Sequence, residues 1–147
     1  MTKSQPLARS FFTRAFMAAM TLLPTHAQAD QTAMPGVSIE LSAADDVDGA
    51  CRMSFLIING HGKDIEQAVY EIVLFSGAGG VAQLTLLDFR DLPASRPRVR
   101  QFQFDGLACA DIPRVLINGS ETCTGVAEGG CINNLILTTR TGTELIG

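Results

Sequence analysis

Apolar and polar residues alternate through Cys51-Arg-Met-Ser-Phe-Leu-Ile-Ile-Asn59, and the rest of the chain is organised around that stretch. Cys51, Met53, Phe55 and Ile57 recur at a spacing of two, with Arg52 and Ser54 between them, the pattern of a strand with one buried face. Leu56 and Ile58 make its far end apolar on both faces, so a central strand is expected. Ahead of it, Val37-Ser-Ile-Glu-Leu41 alternates cleanly and predicts a first strand, half buried. Ala43 to Gly49 is acidic and turn-rich and predicts a loop.

Downstream, Asn59-Gly-His-Gly-Lys-Asp64 reads as a turn, and Gln67 to Phe75 as a third strand rich in β-branched and aromatic residues. Ile65, Ala68, Val69 and Ile72 also fit a helical stripe, but the β-branched content and flanking glycines favour strand. Ser76-Gly-Ala-Gly-Gly80 closes a hairpin onto a fourth strand, Val81 to Phe89. A Pro-containing loop from Asp91 to Pro97 precedes a fifth, Arg98 to Phe104, in which Arg98, Arg100, Phe102 and Phe104 share one face. Arg114 to Asn118 is a short sixth strand, Asn118 to Gly130 a polar loop, and Asn133 to Arg140 a seventh strand, after which the tail ends apolar at Leu145 and Ile146.

Seven regularly spaced strands with Gly- and Pro-rich turns predict an all-β fold, a single immunoglobulin-like β-sandwich. The chain has no Trp, so Phe55, Tyr70 and Phe75 are expected to fill the volume that a core Trp occupies in antibody-type domains.

The first 29 residues read as a signal peptide. Lys3, Arg9 and Arg14 form a basic start, Phe16 to Leu23 a short apolar core, and Ala27-Gln-Ala29 a cleavage site before Asp30. The apolar run is far below the roughly 20 residues of a membrane span, so no span is expected after cleavage. Residues 30–36 read as a flexible tail and 37–147 as the sandwich domain. Cleavage removes three of the 11 basic residues and none of the 15 acidic ones. Eight basic residues then face 15 acidic ones, a poor surface for the phosphates of nucleic acid.

Cys51, Cys109, Cys123 and Cys131 all lie beyond the signal, and an even count in an exported chain predicts two disulfides. A four-thiolate zinc site would show Cys-x-x-Cys pairs, which are missing. If strands alternate up and down, Cys51 and Cys109 both lie where the second and sixth strands begin, with Cys123 and Cys131 at the opposite end. Pairing Cys51–Cys109 and Cys123–Cys131 is therefore expected among three possibilities.

Candidate chemistry is thin. His61 is the sole histidine after the signal and sits between two turn glycines, with no nucleophile elbow nearby, so an exposed loop histidine is expected. Asp45-Asp46-Val47-Asp48-Gly49 resembles a calcium loop superficially, yet the closing twelfth position falls on Leu56. Asn118-Gly-Ser120 matches the glycosylation pattern. Arg90, Arg96, Arg98 and Arg100 form the one basic cluster of an otherwise acidic domain, and with Phe102 they are the candidate partner-binding residues. The competing reading is that these charges and prolines protect a sheet edge.

The runs Cys51-Arg-Met-Ser-Phe55, Asp64-Ile-Glu-Gln-Ala-Val-Tyr-Glu71, Pro97-Arg-Val-Arg-Gln-Phe102 and Arg114-Val-Leu-Ile-Asn-Gly119 give the domain a resemblance to a family of secreted alphaproteobacterial proteins. Members of that family occur beside proton-channel and energy-transducing components of outer-membrane transport, and no enzymatic activity is attached to them. The resemblance implies a periplasmic location. The expected function is non-enzymatic: contact with an envelope protein, accessory to a transport system, with no cofactor. The alternative is a module for a small molecule, ion or glycan, with Ala43–Gly49 and Asn118–Gly130 as its binding loops.

Overall fold

The structure, a computed structural model, describes residues 35–147. The expected signal peptide and most of the expected tail lie outside the described residues. Gly36, the last tail residue, is buried, and its carbonyl accepts a 2.8 Å hydrogen bond from the Gly60 amide. Gly36 is thus already bonded into the domain, just before the expected boundary at Val37.

Eight strands follow in order: β1 (Val37–Val47), β2 (Ala50–Asn59), β3 (Ile65–Phe75), β4 (Val81–Leu92), β5 (Arg98–Asp105), β6 (Arg114–Thr124), β7 (Ile136–Thr139) and β8 (Glu144–Ile146). A single 3-10 turn, Cys109–Asp111, precedes β6. The strands form two four-stranded sheets ordered β5-β2-β1-β7 and β4-β3-β6-β8, which pack into the expected sandwich. The second strand neighbours the fifth and the third neighbours the sixth, as strands B–E and C–F do in immunoglobulin-like domains. β2 is central in its sheet, as its doubly apolar end predicts.

The core follows from the alternation. Cys51, Met53, Phe55 and Ile57 on β2 are fully buried, facing Tyr70, Ile72 and Leu74 of β3 across the sandwich. In place of a Trp, an aromatic cluster joins both sheets: Phe89 lies 5.3 Å from Tyr70, 5.7 Å from Phe55 and 5.1 Å from Phe102, centre to centre. Phe75 is absent from that cluster and only half buried. Its odd position on β3 puts it on the face opposite Tyr70, Ile72 and Leu74, and Phe89 supplies the volume instead.

Two expected loops are largely strand, and the tail adds a further strand. β1 runs on to Val47 and pairs Asp45 with Arg52 and Asp46 with Cys51, leaving only Asp48 and Gly49 as a two-residue turn with φ of 51° and 79°. Positive φ at both central residues matches the twist of a tight hairpin. β6 continues to Thr124, held by its ladder to Gln67–Glu71 of β3, and the apolar tail forms β8 beside β6. In contrast, the seventh strand is shorter than expected, because residues 128–134 form turns around the second disulfide.

Both disulfides are present with the expected pairing, Cys51–Cys109 and Cys123–Cys131. The first ties the start of β2 to the turn that leads into the other sheet. The second fastens the end of β6 to the loop before β7.

Candidate functional site

β4 and β5 are the edge strands of their respective sheets and lie on the same flank of the sandwich. The residues singled out as a basic-aromatic strip are gathered there, but in different roles. Arg98, Arg100, Phe102 and Phe104 do share one face of β5, and it is the inner face: exposure falls along it until Phe104 is fully buried. Phe102 is half buried and stacks into the aromatic cluster.

Arg100 is largely consumed by the fold. Its Nε donates to the Phe89 carbonyl at 2.8 Å and its terminal nitrogen to the Asp91 carbonyl at 3.1 Å, both on the main chain of β4. It also meets the Asp91 carboxylate at 3.4 Å, and Arg98 meets the same carboxylate at 3.4 Å. One arginine thus laces the two sheet edges together at one end, with a single Asp offsetting both charges. Arg90 takes a left-handed conformation (φ 61°) at a bulge, and its amide bonds the Asp88 carboxylate at 2.8 Å. Arg96 lies in the exposed turn before β5, its amide bonded to Pro93.

Between the two edges is an open groove of ≈ 350 Å³ lined by Asp88, Arg90, Val99, Arg100, Gln101 and Phe102. It unites three of the predicted residues, Arg90, Arg100 and Phe102, and sets Val99 and Phe102 among charges of both signs. Arg96 and Arg98 are not part of its lining. Beside the groove, β4 carries two residues that the sequence reading passed over, Leu84 and Leu86, which are 57% and 50% exposed. Their signal was available: Leu84 and Leu86 occupy one face and Leu87 the other, so the strand is apolar on both sides.

The other candidates resolve into structural contacts. His61 is half buried, not a free loop residue, and its Nε2 donates to the Gly130 carbonyl at 2.6 Å. It thereby pins the β2–β3 turn to the loop of the second disulfide. Asp46 accepts the Cys109 amide at 2.7 Å, and Asp45 faces Arg52 at 4.0 Å, so the acidic stretch is a laddered strand rather than a cation loop. Among the described residues, no group of three or more His, Cys, Asp or Glu side chains is placed to hold a metal ion. Most of Asn118–Gly130, the other proposed ligand loop, lies in β6, and Asn118 donates to Glu71 of β3 across a bulge.

Among the described residues no helix is long and apolar enough to cross a membrane. No protein-family model, curated protein or solved structure matches the chain.

Proposed function

We propose that the protein is an exported, non-enzymatic component of the bacterial envelope that acts in the periplasm by binding another protein along the β4–β5 flank. The observation that carries this reading is the meeting of two sheet edges there, one of them apolar on its exposed face and bordered by a groove of mixed charge. Unpaired strand edges are binding templates, and adding a strand is a recurrent mode of peptide recognition. Two disulfides support an oxidising compartment. The resemblance to secreted proteins found beside energy-transducing transport components supports an accessory role to such a system.

The test is affinity recovery from crosslinked envelope fractions, with bound proteins identified by mass spectrometry. The expected result is one membrane-complex partner, lost when Gln101→Lys and Arg90→Glu alter the groove without touching the core. Equal recovery by the altered protein would remove the flank from consideration.

A further inference from the structure

The β4 edge is not uniform. At its Leu92 end Arg100 occupies the carbonyls of Phe89 and Asp91. Between the hairpin at Gly80 and that cap, Val81–Asp88 ladders only with β3, and among the described residues no side chain bonds its main chain. Neighbouring residues of a strand turn their N–H and C=O groups to opposite sides. The Ser76 amide bonds the Gly80 carbonyl at 2.8 Å. Ser76 and, at every second residue before it, Leu74, Ile72 and Tyr70 therefore turn their main-chain groups to β4, and the partners of these last three, Gln83, Thr85 and Leu87, turn theirs to β3. Leu84, Leu86 and Asp88, opposite Val73, Glu71 and Val69, direct theirs outward, away from β3.

The side chains carry the same message. An apolar row crosses the outer face of this sheet through Leu84, Val73, Leu116 and Ile146, one residue from each strand. Val73, with a strand on either side, is 6% exposed, whereas Leu84 at the edge is 57% exposed. Val81–Leu87 carries no Lys, Pro, Gly or charged residue, the devices that usually protect such an edge.

We propose that this edge pairs with the same edge of a second copy of the chain, antiparallel about Thr85, to give a continuous eight-stranded sheet. The proposal rests on reading the flank as a contact surface and names the occupant of its β4 half. Thr85 is the midpoint between Val81 and Phe89, where the cap ends the ladder. Pairing there sets Leu84 opposite the partner's Leu86 through free main-chain groups, with Thr85 opposite Thr85 as the non-hydrogen-bonded pair between them. On the outer face Leu84 meets the partner's Leu86, and the reciprocal pair completes a cluster of four leucines. Asp88 falls opposite Ala82, so no like charges are opposed, a point that matters for an acidic chain. The two-fold axis is perpendicular to the sheet, which makes the contact self-complementary and closed. One strand pair is a small interface, so dissociation on the order of micromolar is expected.

Sedimentation equilibrium of the purified protein, from low micromolar to near-millimolar concentration, tests it. The wild type is expected to pass from monomer to dimer. Leu86→Pro removes an outward N–H that its own sheet does not use. It should weaken the dimer at least about tenfold while leaving the melting temperature of the monomer close to wild type. Should Leu86→Pro fail to fold, Leu84→Lys with Leu86→Lys gives the same reading through the side chains. A wild type that stays monomeric throughout, or a dimer indifferent to these substitutions, overturns the proposal. A monomeric protein that still recovers an envelope partner through the groove would overturn the dimer and leave the proposed function standing.

Discussion

The Tyr70 hydroxyl donates a 2.8 Å hydrogen bond to the carbonyl of Cys131, joining the centre of β3 to the residue that closes the short disulfide. Both residues are fully buried. Burial, which penalises the phenolate, pushes the Tyr70 hydroxyl well above its ordinary pKa of 10.0. The folded state therefore holds this proton more tightly than the unfolded chain does. The resulting stabilisation is complete below the ordinary pKa and is lost as pH rises above it. Tyr70 is the only tyrosine in the chain, so phenolate absorbance reports on it alone. Absorbance is expected to appear only together with loss of tertiary structure, whereas the denatured chain should titrate near pH 10. Tyr70→Phe should flatten the alkaline limb of stability and, by leaving the Cys131 carbonyl unpaired, cost about 1–3 kcal/mol at neutral pH. A native protein that titrates at the ordinary pKa would contradict this account.

The two disulfides should differ in their contribution. Cys51–Cys109 closes a separation of 58 residues and Cys123–Cys131 one of 8. Loop-closure entropy then gives about 4 kcal/mol for the long bridge and about 2.5 kcal/mol for the short one. Paired Cys→Ala substitutions should lower the denaturant midpoint more at the first site than at the second. The reverse order would mean that the short bridge acts chiefly through the loop carrying Cys131, which Tyr70 and His61 also hold.

Two turn glycines separate conformational strain from crowding. Gly49 and Gly125 both have positive φ, 79° and 89°. A Cβ on Gly49 would meet nothing within 4 Å, while one on Gly125 would come within 2.5 Å of the Asp64 carbonyl and 2.9 Å of the Glu66 amide nitrogen. Gly49→Ala should cost about 1–2 kcal/mol for the left-handed backbone. Gly125→Ala adds a main-chain collision at the start of β3 and should be clearly worse in the same unfolding experiment. Equal costs would show that the β3 terminus yields.

What the sequence made legible was whatever alternates. Cys51, Met53, Phe55 and Ile57 announce a buried strand face by spacing alone, and the cysteines at strand ends announce their own pairing. Asp45, Asp46 and the stretch from Gly119 to Thr124 carry no such pattern, and they are strands because β2 and β3 offer them a ladder. That information lies in the partner strand. The candidate site was half legible for a similar reason. The arginine cluster is visible in one dimension, but the acceptors of Arg100 are main-chain carbonyls on another sheet, which no residue pattern encodes. Nor does the sequence of Val81–Leu87 say that β4 lies at an edge, and that position is what makes Leu84 and Leu86 exposed.

Arg100 is where the two readings of the basic cluster part most sharply. A binding strip predicts that Arg98→Glu and Arg100→Glu weaken partner contact and leave stability nearly unchanged. The geometry separates the pair. Arg98 has one long contact to the exposed Asp91 carboxylate, so Arg98→Ala should change stability by about 0–1 kcal/mol. Arg100 satisfies two edge carbonyls of β4 with charge-assisted bonds, and Arg100→Met, which keeps the apolar stem, should cost about 1.5–3 kcal/mol. It should also free Phe89 and Asp91 to pair with other chains. Lower stability and greater self-association are therefore expected together, measured by chemical denaturation and by sedimentation. If Arg100→Met is as stable as the wild type, the link between the two edges is not holding the flank closed. Arg100 would then return to the surface available for a partner.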